Sequence, residues 1–371
     1  MKSWDAIIVG GGIIGLSLAI SLRKEGLRVL IVERGEPGRE ASYAAAGMLA
    51  AGAEIPPALK TLAEESARLY PEFVHELQDE SGSKVDLRDQ GTILLSCGSP
   101  FPESAERLSP QRLRSLEPKL AFPSKSRSAG PESLSSSPDK PSPRQPDEIC
   151  AAYLPERSVD PRALTAAAIK AAHHRQIDIA SGAEVKALLV DGGRASGVQT
   201  ERSTYSAAMV VNCAGAWSGN IAPYEFPVRP VKGQMLAVVG GPSLQHVIRS
   251  EHVYLVPRSD GRVLIGSTLE DSGFTKQTDV DTLQRLFQAA LEIVPELASS
   301  RQHQAWAGLR PATPDELPIL GETSTSGFFV ATGHYRDGIL LAPITARIMT
   351  ALIAGKPPAF DLESFSPGRF A

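Results

Sequence analysis

A glycine-rich turn near the N-terminus, between a run typical of a strand and a run typical of a helix, constrains the fold most strongly. Ala6–Val9 is a short apolar run, as expected of a strand that is buried on both faces. Apolar residues then recur at helical spacing from Ile13 to Lys24, and Gly26 marks a helix stop. A second apolar run occupies residues 29–32. This strand–helix–strand order predicts an α/β fold that begins with a Rossmann-like unit.

Three glycines in that turn, Gly10, Gly12 and Gly15, satisfy the GxGxxG pattern. Gly10 permits the tight turn, Gly12 lets backbone amides approach a pyrophosphate, and Gly15 lets the helix pack on the strand. The helix N-terminus then faces the negative phosphates. Glu33 ends the second strand 18 residues after Gly15, where its carboxylate can accept hydrogen bonds from a ribose. A glycine-rich turn without a ligand is the alternative, but strand, helix and acid together predict a dinucleotide site.

The composition argues against several other classes of protein. The 371 residues contain 38 Lys and Arg against 42 Asp and Glu, and this net charge of −4 favours neither a nucleic-acid partner nor a basic membrane-binding face. Cys97, Cys150 and Cys213 lie far apart and form no CxxC motif, so we expect neither a disulfide framework nor a metal site, and a cytoplasmic location. Residues 6–22 are uncharged like a signal-peptide core, but their consecutive glycines favour the nucleotide motif.

Further secondary structure is expected at residues 161–174, 183–190, 208–213, 283–294 and 338–354. The second and third of these ranges read as strands and the others as helices. Asp160 can cap the first of these helices, with Pro161 at its first position. Asp281 and Gln284 are expected to form a capping box for the helix over 283–294.

A segment rich in serine and proline separates the first region from the second. In residues 124–146, 13 of the 23 residues are Ser or Pro, and large apolar side chains are almost absent. Such a segment buries too little surface to offset its ordering entropy, so residues 121–148 are expected to form a mobile loop. The functional alternative is an active-site lid or a partner-binding segment.

Four segments, taken together and in this order, resemble motifs of the glycine oxidases, within the D-amino-acid oxidase family. The segments are ASYAAAGML at residues 41–49, VNCAGAWS at 211–218, WAGLRP at 306–311 and GHYRDGILL at 333–341. The resemblance extends over most of the chain, from residue 5 to residue 355. Four ordered motifs are far more specific than the glycine pattern by itself.

The resemblance implies two domains and noncovalently bound FAD. A discontinuous, Rossmann-like FAD domain would use residues 1–86, 151–220 and 305–371. A substrate domain built on an antiparallel sheet would use residues 87–150 and 221–304, with the substrate pocket between the domains. The residues implied to contact FAD are Gly10, Gly12, Ile13, Ile14, Gly15, Glu33, Arg34, Ser42, Ala45, Ala46, Gly47, Met48, Val185, Ala214, Gly215, Trp217, His334, Tyr335, Arg336, Asp337, Gly338, Ile339 and Leu340.

The activity implied is the oxidation of glycine, or of another small amine or D-amino acid. The Cα–H bond would deliver a hydride to flavin N5, the imine would hydrolyse to glyoxylate or a 2-oxo acid and ammonia, and O2 would become H2O2. In that family the imine also feeds thiamine thiazole synthesis. A dehydrogenase passing electrons to a carrier and a noncatalytic flavin sensor are the alternatives. The partners expected are the amino-acid substrate and O2, with a homo-oligomer (a tetramer or dimer) as the family's usual assembly.

Five residues are candidates for the reaction itself. Arg310 precedes a proline and presents a planar fork that can bind a substrate carboxylate, although a structural salt bridge is the alternative. By resemblance, Tyr254 and His252 face the substrate, and alternation in a strand would place both on one face. Arg336 resembles a position near the carboxylate or binds backbone carbonyls instead. Met48 would shape the small pocket beside the flavin or serve as ordinary core.

One position departs from the family pattern. Leu269, in GSTL at residues 266–269, stands where a family member carries methionine. The two side chains are similar in volume, so the departure affects the preference for the substrate side chain rather than the flavin chemistry.

Overall fold

The computed structural model describes residues 3–52, 55–96, 100–121 and 150–370, so the predicted mobile loop lies almost wholly outside the described residues. The helices are α1 Ile13–Lys24, α2 Ala41–Ala44, α3 Lys60–Ser81, α4 Pro110–Leu116, α5 Pro161–His174, α6 Val280–Ile293 and α7 Gly338–Ile353. The strands are β1 Ala6–Val9, β2 Val29–Glu33, β3 Met48–Leu49, β4 Leu87–Arg88, β5 Thr92–Ser96, β6 Glu106–Leu108, β7 Cys150–Leu154, β8 Arg157–Val159, β9 Asp178–Ser181, β10 Val185–Asp191, β11 Arg194–Thr200, β12 Thr204–Ser206, β13 Met209–Asn212, β14 Arg229–Val239, β15 Val247–Arg249, β16 Tyr254–Pro257, β17 Val263–Gly266, β18 Arg301–Ala312, β19 Ile319–Glu322 and β20 Phe328–Thr332.

A six-stranded sheet carries the N-terminal motif. Its order is β19-β20-β13-β1-β2-β9, and every pair except β19–β20 is parallel. Helices α1, α5 and α7 pack on one face, and the small sheet β10-β11-β12 packs on the other. Strand β1 is therefore buried along its whole length, which explains its uniformly apolar sequence. The Rossmann-like beginning predicted from the sequence is confirmed.

A larger sheet of mainly antiparallel strands stands beside it. Its order is β18-β14-β17-β16-β15-β5-β7-β6, with β15 and β5 as a parallel pair. The longest pairing joins β14 to β18, from Arg229 opposite Ala312 to Val239 opposite Arg301. The expected α/β fold with a second antiparallel sheet is thus observed. The predicted edges at residues 151 and 305 fall inside β7 and β18, and the division into domains stays a prediction.

Local signals located α1, α5 and α7 well and misplaced the start of α6. Helix α5 begins at Pro161 as expected, because the Asp160 carboxylate accepts hydrogen bonds from the Arg162 and Ala163 amides at 2.9 and 3.3 Å. Helix α6 begins at Val280, and its N-cap is Asp279, which accepts from the Thr282 amide at 2.8 Å. The capping box of Asp281 and Gln284 was wrong, because an equally good capping acid stands two residues earlier.

Helix α3 was not predicted, and it compensates for a proline in α7. Pro343 lies within α7 and has no N–H for the carbonyl oxygen of Ile339, four residues earlier. The Tyr70 hydroxyl of α3 donates to that oxygen at 2.6 Å, and the Ser66 hydroxyl donates to the Leu340 oxygen at 2.6 Å. Both side chains are fully buried. Helix α3 therefore completes the hydrogen bonding of the first turn of α7.

Among the residues described, none of the helices combines the length and the hydropathy of a membrane span. The same residues contain no cluster of His, Cys, Asp and Glu suited to hold a metal ion.

Candidate active site

A large cavity lies between the two sheets, and the predicted motifs line it together. Its walls come from the glycine-rich turn, the segment 40–50, the ends of β13 and β20, and strands β14, β17 and β18. Of the predicted site residues, all but two line this cavity. Gly15 and Leu340 do not. Gly15 packs against the Gly10 carbonyl, the helix–strand packing role expected of it, and the Leu340 side chain is buried in the core.

The turn before α1 suits a pyrophosphate. Gly10 has φ +107° and approaches the Cys213 carbonyl so closely that a Cβ would clash with it. Gly12 is the N-cap of α1 and supplies no side-chain cap, and no acidic residue lies in the first turn. The Ile13 amide is satisfied by the Ser42 hydroxyl at 2.9 Å. Apart from this serine contact, the helix N-terminus has no cap from its N-cap residue and no acid in its first turn, so an anionic group fits there.

Glu33 lies at the end of β2 and holds the turn together. Its carboxylate accepts hydrogen bonds from the Gly11 amide at 2.7 Å and from the Gly35 amide at 2.8 Å. Each carboxylate oxygen accepts more than one hydrogen bond, so capacity for a ribose hydroxyl remains. Glu33 therefore shapes the loop and lines the cavity at the same time.

Aromatic and charged side chains close the end of the cavity near β2. The Arg34 guanidinium lies 3.5 Å from the centre of the Trp217 ring, and Phe274 stacks on Trp217 with ring centroids 5.4 Å apart. Glu40 pairs with both Arg34 at 3.2 Å and Lys276 at 2.9 Å. Phe274 and Lys276 were missed because their segment contacts this end only through the tertiary fold.

The segment that resembles the flavin-passing motif is held from outside the cavity. The Trp306 indole donates to the Ala44 carbonyl at 3.1 Å. The Arg162 guanidinium lies 3.9 Å from the Tyr43 ring centre and 4.4 Å from that of Trp306. Gly47 has φ +75° and packs so tightly on the Val159 carbonyl that any side chain would clash. The backbone of residues 44–48 is consequently fixed where it lines the cavity.

Arg310 stands on β18 at the opposite end of the cavity. Its Nη2 donates to the Ser267 hydroxyl at 2.7 Å and its Nη1 donates to the Thr268 carbonyl at 3.1 Å. Each of these nitrogens carries a second N–H, so the fork retains donors for a carboxylate. Gly233 on β14 lies flat against the guanidinium, and a Cβ there would clash with it. Gly233 was missed, because no sequence signal links it to Arg310.

A partly buried polar network supports the segment that contacts Arg310. Thr268 donates to the Glu270 carboxylate, which also accepts from the Gln234 amide at 2.9 Å and pairs with the Lys232 ammonium at 3.1 Å. Burial tends to raise the pKa of the Glu270 carboxyl, but these hydrogen bonds and the Lys232 charge hold that pKa below its usual range. This network was also missed, since its members are brought together only by pairing of distant segments.

The other candidates for the reaction lie around Arg310 with differing exposure. The Tyr254 hydroxyl donates to the Met235 sulfur at 3.5 Å and lines the cavity. His252 lines the cavity too, but it is exposed and precedes β16, so its predicted place on one strand face with Tyr254 was wrong. His252 lies instead in a short loop at residues 250–253, and β16 begins only at Tyr254. Met48 is half-buried beside the apolar cluster of Met235, whereas Leu269 is exposed at the cavity mouth.

The C-terminal motif presents the start of α7 to the cavity. Tyr335 has φ +45°, an uncommon conformation for a large side chain, and its amide donates to the Pro311 carbonyl at 2.9 Å. His334 is buried with its Nε2 3.1 Å from the Thr345 hydroxyl, and burial lowers its pKa to about 3, so the ring is neutral. Arg336 is exposed and lies over the Tyr335 ring. No side chain caps α7, which leaves the amides at Gly338 facing the cavity wall.

Comparisons with known proteins point to an FAD-dependent family, in agreement with the dinucleotide site inferred from the cavity. The family model described as FAD dependent oxidoreductase, DAO, matches residues 5–352. A glycine oxidase of Pseudomonas aeruginosa is 33% identical over 97% of this chain and 98% of its own length. A bifunctional protein ThiO/ThiG of Trichormus variabilis is 36% identical over 99% of this chain, which spans only 55% of that longer relative.

The fold of one solved structure matches the fold of this chain over its whole length. The crystal structure of glycine oxidase from Geobacillus kaustophilus superposes with a TM-score of 0.88 at 31% identity, covering 100% of this chain and 99% of that one. The family resemblance inferred from the four sequence motifs is confirmed, as is FAD as the cofactor. This chain belongs to the DAO family of FAD-dependent oxidoreductases.

Proposed function

We propose that this enzyme oxidises glycine, with FAD as the electron acceptor and O2 as the oxidant that restores it. The observation that carries the proposal is the position of Arg310, whose free guanidinium donors line the same cavity as the dinucleotide motif. The similarity to glycine oxidases over nearly the full chain supports the choice of substrate. The imine formed from glycine is proposed to enter thiamine thiazole synthesis, in line with the ThiO/ThiG relative.

The residues would act mainly by binding and orienting the substrate. Bound FAD would supply the two-electron oxidation, in which the amine loses a hydride from Cα and a proton from nitrogen as the C=N bond forms, and O2 takes up these two electrons and two protons as H2O2. The Arg310 fork would hold the substrate carboxylate, and the flat surface of Gly233 keeps that fork in place. The Tyr254 hydroxyl would exchange its long hydrogen bond to the Met235 sulfur for one donated to the carboxylate. Orientation by these groups directs the Cα–H bond without any acid or base acting on the carbon.

Two other features of the chain would favour the reaction. The amides at the start of α7, beginning at Gly338, would stabilise negative charge that develops in the cavity next to that helix N-terminus. Met48 and Tyr254 line the cavity beside the Met235 cluster, where they would narrow the space around the substrate α-carbon and favour glycine over amino acids with large side chains. We assign Arg336 and His252, both exposed, to the cavity mouth.

The proposed division of the chain follows from the same site. The FAD domain would comprise residues 1–86, 151–220 and 305–371 and the substrate domain the remainder, with the cavity between them. We also propose a cytoplasmic homo-oligomer, supported by the scarcity of cysteine and by the family membership. Size-exclusion chromatography with light scattering gives the assembly: a mass near one chain of 39.5 kDa would contradict the oligomer.

Anaerobic stopped-flow of the yellow protein tests the function. Glycine, sarcosine, D-alanine and D-proline are each mixed with the enzyme, and air is then admitted. Loss of the oxidised flavin band with glycine, followed by fast recovery in air, is the expected result. Bleaching only with a larger D-amino acid would overturn glycine as substrate, and bleaching without recovery in air would overturn the oxidase. No bleaching with any of the four would overturn the reaction class.

A further inference from the structure

A buried cation lies directly behind the segment that lines the cavity at Ala46. Arg258 follows β16, is only 4% exposed, and donates from Nη2 to the Ala46 carbonyl oxygen. Its Nε and Nη1 are buried and make no hydrogen bond within the described part of the chain. Arginine is almost never fully buried unless it is paired, so this guanidinium is unusual for a purely structural residue.

The carboxylates nearest to Arg258 are occupied by other partners. Asp160 caps α5 and pairs with Arg262 at 2.9 Å, and Asp86 accepts both the amide and the hydroxyl of Ser259. Neither approaches the Arg258 guanidinium within ion-pair distance, and no ion pair of Arg258 occurs in the ranges described. The charges of Asp160 and Asp86 therefore act on Arg258 only through space, across more than ion-pair distance, in a region where burial limits screening.

The backbone at residues 46–48 connects the Arg258 guanidinium to the cavity wall. In a trans peptide the N–H lies opposite the carbonyl, so the Gly47 N–H is directed away from Arg258. The Gly47 carbonyl accepts from the Val159 amide at 2.8 Å, which fixes the next peptide as well. Ala46, Gly47 and Met48 all line the cavity, and the Gly47 amide has no acceptor among the residues described.

We propose that Arg258 is a positioning residue for the cofactor: it orients the Ala46–Gly47 peptide so that the Gly47 N–H donates into the cavity, and its charge stabilises negative charge on the group bound there. The proposal rests on the placement of FAD in this cavity. Arg258 acts through one peptide group and never contacts substrate. Its effect is therefore expected on the reduction equilibrium of bound FAD more than on the binding of glycine.

Three substitutions separate the charge from the hydrogen bond. Arg258→Lys keeps both, Arg258→Gln keeps a donor without charge, and Arg258→Met removes both. Arg262→Met is the matched control, because Arg262 is a neighbouring arginine whose charge is already paired with Asp160 and Asp260 and is partly exposed. The two-electron midpoint potential of bound FAD is measured by chemical reduction, which needs no substrate.

The Gln and Met variants are expected to make flavin reduction about tenfold less favourable, which lowers the potential by about 30 mV for two electrons. The Lys and Arg262→Met variants are expected to stay near the wild-type potential. Unchanged potentials in the Gln and Met variants, or an equal fall in Arg262→Met, would overturn the charge effect. A protein that shows these potentials but does not react with glycine would refute the proposed substrate and leave this inference standing.

A measurement on the unsubstituted protein covers the case in which the variants fail to fold. Hydrogen exchange is compared with and without FAD for the peptide that contains Gly47. Slower exchange at the Gly47 amide on FAD loading is expected, because the N–H gains an acceptor. An exchange rate that FAD leaves unchanged there would overturn the proposed direction of this N–H.

Discussion

Removing the Tyr70 hydroxyl should destabilise the protein because it leaves a buried carbonyl oxygen without a hydrogen bond. In Tyr70→Phe the Ile339 oxygen loses its 2.6 Å hydrogen bond, and Pro343 has no N–H to replace it. An unsatisfied buried acceptor costs about 1–3 kcal/mol. With unfolding entropy of about 2.1 cal/mol/K per residue, about 2 kcal/mol lowers the Tm of a chain of this size by about 2–3 °C.

Restoring the missing amide provides the decisive comparison. In Pro343→Ala the Ile339 oxygen gains the ordinary helical partner, so Tyr70→Phe should then cost much less. The assay is thermal unfolding of the wild type, both single variants and the double variant at one FAD concentration, because bound FAD itself raises Tm. A coupling of about 1 kcal/mol or more between the two positions is expected. Equal costs of Tyr70→Phe in both backgrounds would refute the compensation of Pro343 by α3.

Four further predictions concern the site. Arg310→Ala should lower kcat/KM for glycine by about 10²–10⁴-fold through loss of two charge-assisted hydrogen bonds; steady-state kinetics checks this, and Arg310→Lys should lose less. Gly233→Ala should displace the Arg310 fork and cost up to about 100-fold in kcat/KM with FAD binding unchanged, whereas loss of FAD would contradict that reason. Trp217→Ala should weaken FAD binding about 2- to 30-fold in fluorescence titrations, and unaltered affinity would exclude its stacking role. Because the pKa of the Glu270 carboxyl is lowered in the folded protein, the stability that it contributes is present above its ordinary pKa of 4.5 and is lost as the pH falls through the folded pKa. Glu270→Gln should therefore reduce the loss of unfolding free energy at acid pH, measured by unfolding titrations at several pH values. The same loss in both proteins would contradict this reasoning.

The parts of the fold that could be predicted from the sequence are those determined by residues close together in the chain. The turn at Gly10 and the helix after Asp160 depend on residues within a few positions of each other, and both were located correctly. Helix α6 shows the limit of such signals, because Asp279 and Asp281 compete as caps and only packing of the helix decides between them. Helix α3 carries Pro71 in its interior, which obscured its helical pattern.

The parts of the site that the sequence did not predict are contacts between distant segments. Arg258 reaches Ala46 across 212 positions of the chain, and Glu270 meets Lys232 only because β14 lies beside the segment that follows β17. His252 was assigned to a strand because residues 250–258 resemble a family strand that bears a His and a Tyr, but the chain bends at His252 before the strand starts. Burial of a charged side chain cannot be recognised from its neighbours in sequence.

The stack of Arg34, Trp217 and Phe274 has a consequence for the exchange of domains between relatives. Phe274 and Lys276 follow β17 of the larger sheet, yet they contact Trp217 and Glu40, which line the cavity near β2. If FAD occupies this cavity as proposed, a chimera that takes residues 221–304 from another member of the family would also exchange side chains that contact Trp217 and Glu40 of the cavity wall. We would then expect selection for a new substrate, acting on this segment, to change the affinity of the enzyme for FAD as well.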